Sequence, residues 1–177
     1  MAYSEIVPKI KQTVIKKLIG NDEIVNAIDS PDMKKEDWIP LYLKDSEETR
    51  ELGFTPHIYD YFMFPEVIDK NITFICVMVN TSGSVNNNSL TANLTIAIFT
   101  HKNHIRIENG EITDNRNDYL SQLIDRVFNG KSYDYDGNPI SLGEFKLVKN
   151  IEDSYDRRFL MRQMIFTCSD INALLCV

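Results

Sequence analysis

His101 and His104 stand with two residues between them, a spacing at which two imidazoles can hold one metal ion. They sit where an alternating apolar stretch runs into a polar turn, and no Cys or carboxylate accompanies them at ligand spacing, so the pattern predicts a pair of exposed turn histidines. His57, beside Pro56, is isolated from them in the sequence. The run Asp134-Tyr135-Asp136-Gly137-Asn138-Pro139 alternates oxygens as a calcium loop does. Pro139 occupies the position where that loop needs glycine, and Glu144 falls one place short of the bidentate acid, so a plain turn is expected. Cys76, Cys168 and Cys176 are far apart with no CxxC pair, which fits neither a disulfide framework nor a zinc knuckle. They are expected as small buried hydrophobes in a reducing compartment. No GxSxG, Walker loop or dinucleotide fingerprint occurs. The sequence therefore predicts no catalytic residue, no cofactor and no metal.

Arg157, Arg158 and Arg162, with Lys146 and Lys149, could form a basic stripe on a sheet face or pair across strands with Glu152, Asp153 and Asp156. The whole chain argues against broad phosphate binding, because 19 Lys and Arg against 26 Asp and Glu leave a net charge of -7. With 177 residues, 43% hydrophobic and 25% charged, it is long enough for one core and too ordinary in composition for a disordered or membrane-embedded polymer. The amino terminus lacks the basic and apolar regions of a secretory signal, and no apolar run approaches a bilayer span, so cytoplasmic synthesis without membrane association is expected. The sequons at Asn71 and Asn93 are then chance matches.

The elements that would position these groups follow from periodicity. Residues 4–19 place Ile6, Ile10, Val14 and Leu18 four apart, an amphipathic helix with Pro8 in its first turns and Gly20 as a left-handed close. Asn21 caps a short second helix stopped at Ser30-Pro31. Residues 31–56 lose all period and form a long irregular connection carrying Trp38 and Tyr42. The aromatic run 58–64 is expected as an edge strand ending at Pro65. Residues 71–80 and 91–100 make a hairpin with a long polar tip between them. Asp114 is expected to cap a helix striped by Tyr119, Leu120, Leu123, Ile124, Val127 and Phe128 and closed at Asn129-Gly130. Strands at 140–149 and 157–168 pair across a polar turn. The order predicts a single α+β domain over residues 1–177, a two-layer sandwich of a mainly antiparallel sheet with helices on one face and a long hairpin tip.

This order of elements, the 72–98 hairpin, the segment Thr95-Ile96-Ala97-Ile98-Phe99-Thr100-His101 and the helix beginning Asn115-Arg116-Asn117-Asp118 together resemble the tail terminator, or tail completion, proteins of tailed bacteriophages. The resemblance extends over most of the chain, except residues 31–56. It implies a virion structural protein, assembled in the host bacterial cytoplasm, that forms a ring, commonly a hexamer. That ring would bind the tail-tube protein, stop its polymerisation and present its other face to a head–tail connector protein. DNA would pass through the lumen without specific binding. A head–tail connector or adaptor of the neck is the nearest alternative.

Interface candidates are Ser84, Asn86, Asn87 and Asn88 in the hairpin tip, with Trp38 and Tyr42 in the long connection, because adaptable loops and exposed aromatics carry contacts. A competing expectation, from another class, is a small cytoplasmic ligand-binding domain with His57 and the aromatic 59–64 stretch as one pocket wall.

Overall fold

The computed structural model describes residues 3–28, 56–84, 89–109, 112–131 and 144–169. The first helix, α1, spans Tyr3–Ile19 and buries Ile10, Val14, Ile15 and Leu18, one stripe of its surface. Gly20 closes it without the left-handed conformation expected of it. A Cβ there would stand 3.0 Å from the Lys16 carbonyl, so close backbone approach is what glycine serves at this position. Helix α2, Asp22–Ile28, is capped by Asn21, whose Oδ1 accepts from the N–H groups of Glu23 at 3.0 Å and Ile24 at 3.1 Å.

Strand β1, Ile58–Tyr59, is much shorter than the aromatic run predicts, and it pairs parallel with β2, Thr73–Ser84. After Tyr59 the chain leaves the sheet edge and forms a 3-10 turn at Pro65–Val67. Strand β3, Ser89–His101, pairs antiparallel with β2 from Thr73↔Thr100 to Ser84↔Ser89. The ladder thus continues through residues 81–84, whose polarity predicts a loop; backbone pairing does not require apolar side chains at the end of a ribbon.

A second 3-10 turn, Lys102–His104, leads into a small hairpin of β4, Arg106–Asn109, and β5, Ile112–Asn115. The hairpin absorbs Asp114, so the cap of α3, Arg116–Phe128, is Asn115 and not Asp114. The Asn115 side chain accepts from the Asn117 N–H. Helix α3 buries Leu120, Leu123, Ile124 and Phe128 and ends as expected, with Gly130 at φ +70. The last pair is β6, Phe145–Ser154, against β7, Phe159–Ser169, with a bulge between Leu147 and Lys149. Strand β6 runs through residues 150–154, whose polarity predicts a turn. An edge strand exposed on both faces carries polar residues without breaking its ladder.

The sheet is open and mostly antiparallel, in the order β1-β2-β3-β7-β6, so the fold is α+β. Its even positions on β3 and β7, including Leu94, Ile96, Ile98, Met164 and Phe166, meet the three helices in one buried cluster. The opposite face is covered near the β1 end by the chain's own aromatic connector. There Tyr59, Phe74, Phe99 and Phe159 are buried and Phe62 packs on Phe99 with ring centroids 5.7 Å apart. Each fully buried Phe contributes about 1.5–3 kcal/mol relative to exposure. Sheet and helices make two layers, and a thinner third covering lies over the β1 end of the other sheet face.

Candidate interaction surfaces

The helix start that carries Arg116, Asn117 and Asp118 is spent on holding the fold. Arg116 is 2% exposed and its guanidinium donates to the carbonyls of His104 at 2.8 Å, Arg106 at 3.3 Å and Ala27. A buried guanidinium must find acceptors for its donors, and here it ties the end of α2 to the turn after β3. Asn117 Oδ1 accepts from Thr100 Oγ1 at 2.6 Å while its Nδ2 donates to the Leu160 carbonyl at 3.3 Å. Thr100 also shares a hydrogen bond of 3.0 Å with Thr73, so a buried polar line joins α3 to β2, β3 and β7. Asp118 pairs with Arg162, which also reaches Glu152 at 3.5 Å and Asn150 Oδ1 at 3.0 Å.

The histidines are likewise engaged. His101 Nδ1 accepts from the Asn103 N–H at 3.2 Å, and the ring stands edge-on to Phe159 with centroids 5.2 Å apart. Burial first, and then the Arg158 charge, lower its pKa. His104 Nε2 donates to the Ile28 carbonyl at 3.2 Å. Both are half-buried, not exposed as their turn position implies, because this turn packs on the end of α2 and on β7. His57, 4% exposed, donates from Nδ1 to the Thr73 carbonyl at 2.6 Å, a bond that sequence spacing could not reveal. Among the described residues no group of three or more His, Cys, Asp and Glu could hold a metal ion.

The expected basic stripe is split by strand alternation. Arg162 faces the helices with Asp118, whereas Lys146 and Lys149, opposite Thr167 and Ile165, fall on the other face. Arg158 lies 3.9 Å from both Asp156 and Asp69 and donates to the Glu66 carbonyl at 3.1 Å. Cys76 and Cys168 are buried and unbridged. Burial pushes the Cys76 thiol up to about 12, partly offset by the Met63 N–H donating to its sulfur at 3.4 Å. Cys176 and the 134–139 run lie outside the described residues, as do Trp38, Tyr42, Asn86, Asn87 and Asn88. Ser84 ends β2 opposite Ser89.

Among the described residues, one exposed surface is apolar and a second is neutral. Tyr61, Phe64 and Val67 are 40%, 59% and 72% exposed along the connector between β1 and β2. Their signal in the sequence is an aromatic run that fails to alternate strictly before Pro65, which marks a connector and not a strand. The second surface is the edge of β2 beyond β1, where Asn80, Thr81 and Ser82 are exposed and no residue from 77 to 84 is charged. The other edge, β6, carries Lys146, Lys149, Glu152 and Asp153 and the exposed bulge residue Val148. No helix among the described residues is long and apolar enough to cross a membrane.

Neither a curated protein nor a solved structure matches the chain. A family model does match, over residues 15–168, from within α1 almost to the end of β7. The protein belongs to the YomW family, a phage-derived family associated with a Bacillus prophage.

Proposed function

We propose that this chain is a structural assembly protein of a phage or phage-derived tail, a terminator-type subunit whose copies form a ring at the end of the tail tube. One observation carries the reading. The side chains whose types could do chemistry, Arg116, Asp118, His57, His101 and His104, are bonded into the scaffold, while Tyr61, Phe64 and Val67 put apolar surface into solvent. A protein that acts by contact needs such surface. The phage-derived family and the observed order of helices and strand pairs support the same reading. A net charge of -7 suits a ring through which DNA slides without sticking.

Negative-stain microscopy and light scattering of the purified protein, alone and with tail-tube protein, test it. Rings with a central hole, or tubes capped at a fixed length, are the expected result. A monomer in both samples overturns it. Substituting Phe64→Ser and Val67→Ser should weaken capture of tube protein while leaving the circular dichroism melt within about 0.5 kcal/mol, as for other exposed positions.

A further inference from the structure

The connector between β1 and β2 faces two ways at a spacing of three residues. Phe62 packs on the buried aromatic cluster and Pro65 and Ile68 are buried, whereas Tyr61, Phe64 and Val67 are exposed. Residues three apart stand in line on a 3-10 turn, and the turn at Pro65–Val67 brings Phe64 and Val67 to one side. In extended backbone the same two residues would point to opposite faces, because side chains alternate there. The exposed apolar surface therefore depends on this one turn staying wound.

The turn's own bonds are few. The Val67 N–H donates to the Phe64 carbonyl at 3.3 Å and the Ile68 N–H to the Pro65 carbonyl at 3.0 Å. So short a helix leaves its later carbonyls to donors from outside. Arg158, in the β6–β7 turn, supplies them: its Nη2 donates to the Glu66 carbonyl at 3.1 Å and its Nη1 to the Ile68 carbonyl at 3.5 Å, with the Asp69 carboxylate 3.9 Å away. The β6–β7 turn is itself fixed so as to aim this guanidinium. Asp156 Oδ1 accepts from the N–H groups of Arg158 at 2.7 Å and Phe159 at 2.6 Å, and the Arg158 carbonyl accepts from the Lys102 N–H at 2.8 Å. Tyr155, in the same turn, packs on Phe62 with ring centroids 6.0 Å apart. We propose that Arg158 is a positioning residue for the contact surface: its planar fork caps the 3-10 turn and so holds Phe64 and Val67 together on the exposed side. The proposal rests on the assembly reading above, in which that surface meets the tube protein.

Amide exchange on the full chain and capture of tail-tube protein test it, each with wild type, Arg158→Met and Arg158→Lys. Methionine keeps an apolar stem and loses every donor, while lysine keeps the charge as a single head that does not span both carbonyls. Arg158→Met should speed exchange at Val67 and Ile68 about tenfold or more, leave Ile96 and Met164 unchanged, and weaken capture about tenfold. Arg158→Lys should recover part of both. Added to Phe64→Ser with Val67→Ser, Arg158→Met should weaken capture no further, since it acts through those side chains. Exchange at Val67 and Ile68 that stays at the wild-type rate in Arg158→Met overturns the cap, and so does an equal rise at Ile96, which marks a general loss of stability. A further loss of capture in the Phe64→Ser, Val67→Ser background overturns the positioning role, because Arg158 then touches the partner itself. If Arg158→Met does not fold, Arg158→Lys decides by the same exchange comparison. A wild type that ignores tube protein overturns the assembly reading, and the cap then stands or falls on exchange alone.

Discussion

The two edges of the sheet solve the same problem in opposite ways. Strand β6 breaks its own regularity with a bulge and sets Lys146, Lys149, Glu152 and Asp153 along its length, so an incoming strand meets charge. Strand β2 hides two residues behind β1 and leaves the next eight positions, 77–84, neutral. Open antiparallel sheets carry both edges as liabilities, and of the two described edges only β6 bears the charge and bulge that guard against an added strand. Polarity alone, then, does not protect an edge. Asn80, Thr81 and Ser82 are polar and exposed yet carry no charge to repel a second strand.

The largest perturbation of this contrast is removal of the support under β2. Phe74 is fully buried, stacked on Phe99 at 4.9 Å and edge-on to Tyr59 and Phe159. Phe74→Ala is expected to cost about 3–5 kcal/mol in urea unfolding and to expose the Cys76 thiol to labelling at neutral pH. Asn117→Leu acts between the edges. It leaves Thr100 without its acceptor on α3 and should cost about 1–3 kcal/mol, with amide exchange rising first where β3 meets β7.

Acid acts on the guarded side. Burial raises the Asp156 pKa, but the N–H groups of Phe159 and Arg158 and the Arg158 charge outweigh it, so the carboxyl lies below its ordinary 3.8. A depressed carboxyl contributes its stability above the ordinary value and loses it as pH falls through the folded value. The β6–β7 turn should therefore loosen as pH falls below about 4, and Asp156→Asn should remove that part of the acid dependence. The smallest effect on stability bears most directly on the two edges. Lys146→Thr with Lys149→Thr should change unfolding free energy by less than about 0.5 kcal/mol yet make β6 adhesive, seen as concentration-dependent light scattering that persists in a Ser82→Lys background.

Much of the scaffold is legible in the order of residues alone. The four-residue spacing of Ile10, Val14 and Leu18, the stripe from Leu120 to Phe128 and the alternation of Leu94, Ile96 and Ile98 each bury the face that their period predicts. Both Asn21 and the Asn129-Gly130 close act as their residue types demand, since capping depends only on local donors and φ. Two of the boundaries that differ share one cause. Residues 81–84 and 150–154 are strands although polar, because pairing uses backbone groups and an edge or ribbon end has no face to bury.

Residue order was enough to establish which stripes are buried, that the chain is α+β, and that residues 77–84 bear no charge. Tertiary structure alone settled that Arg116 spans from α2 to β4, that Asp118 meets Arg162 from forty-four residues away, that His57 bonds to Thr73, and that the neutral stretch extends beyond β1 on the outer side of β2 among the described strands. Periodicity reports what a segment does to its own neighbours within a turn or a strand. Strand order, and the polar contacts that strand order creates, depend on how distant segments share one core, which no local spacing encodes.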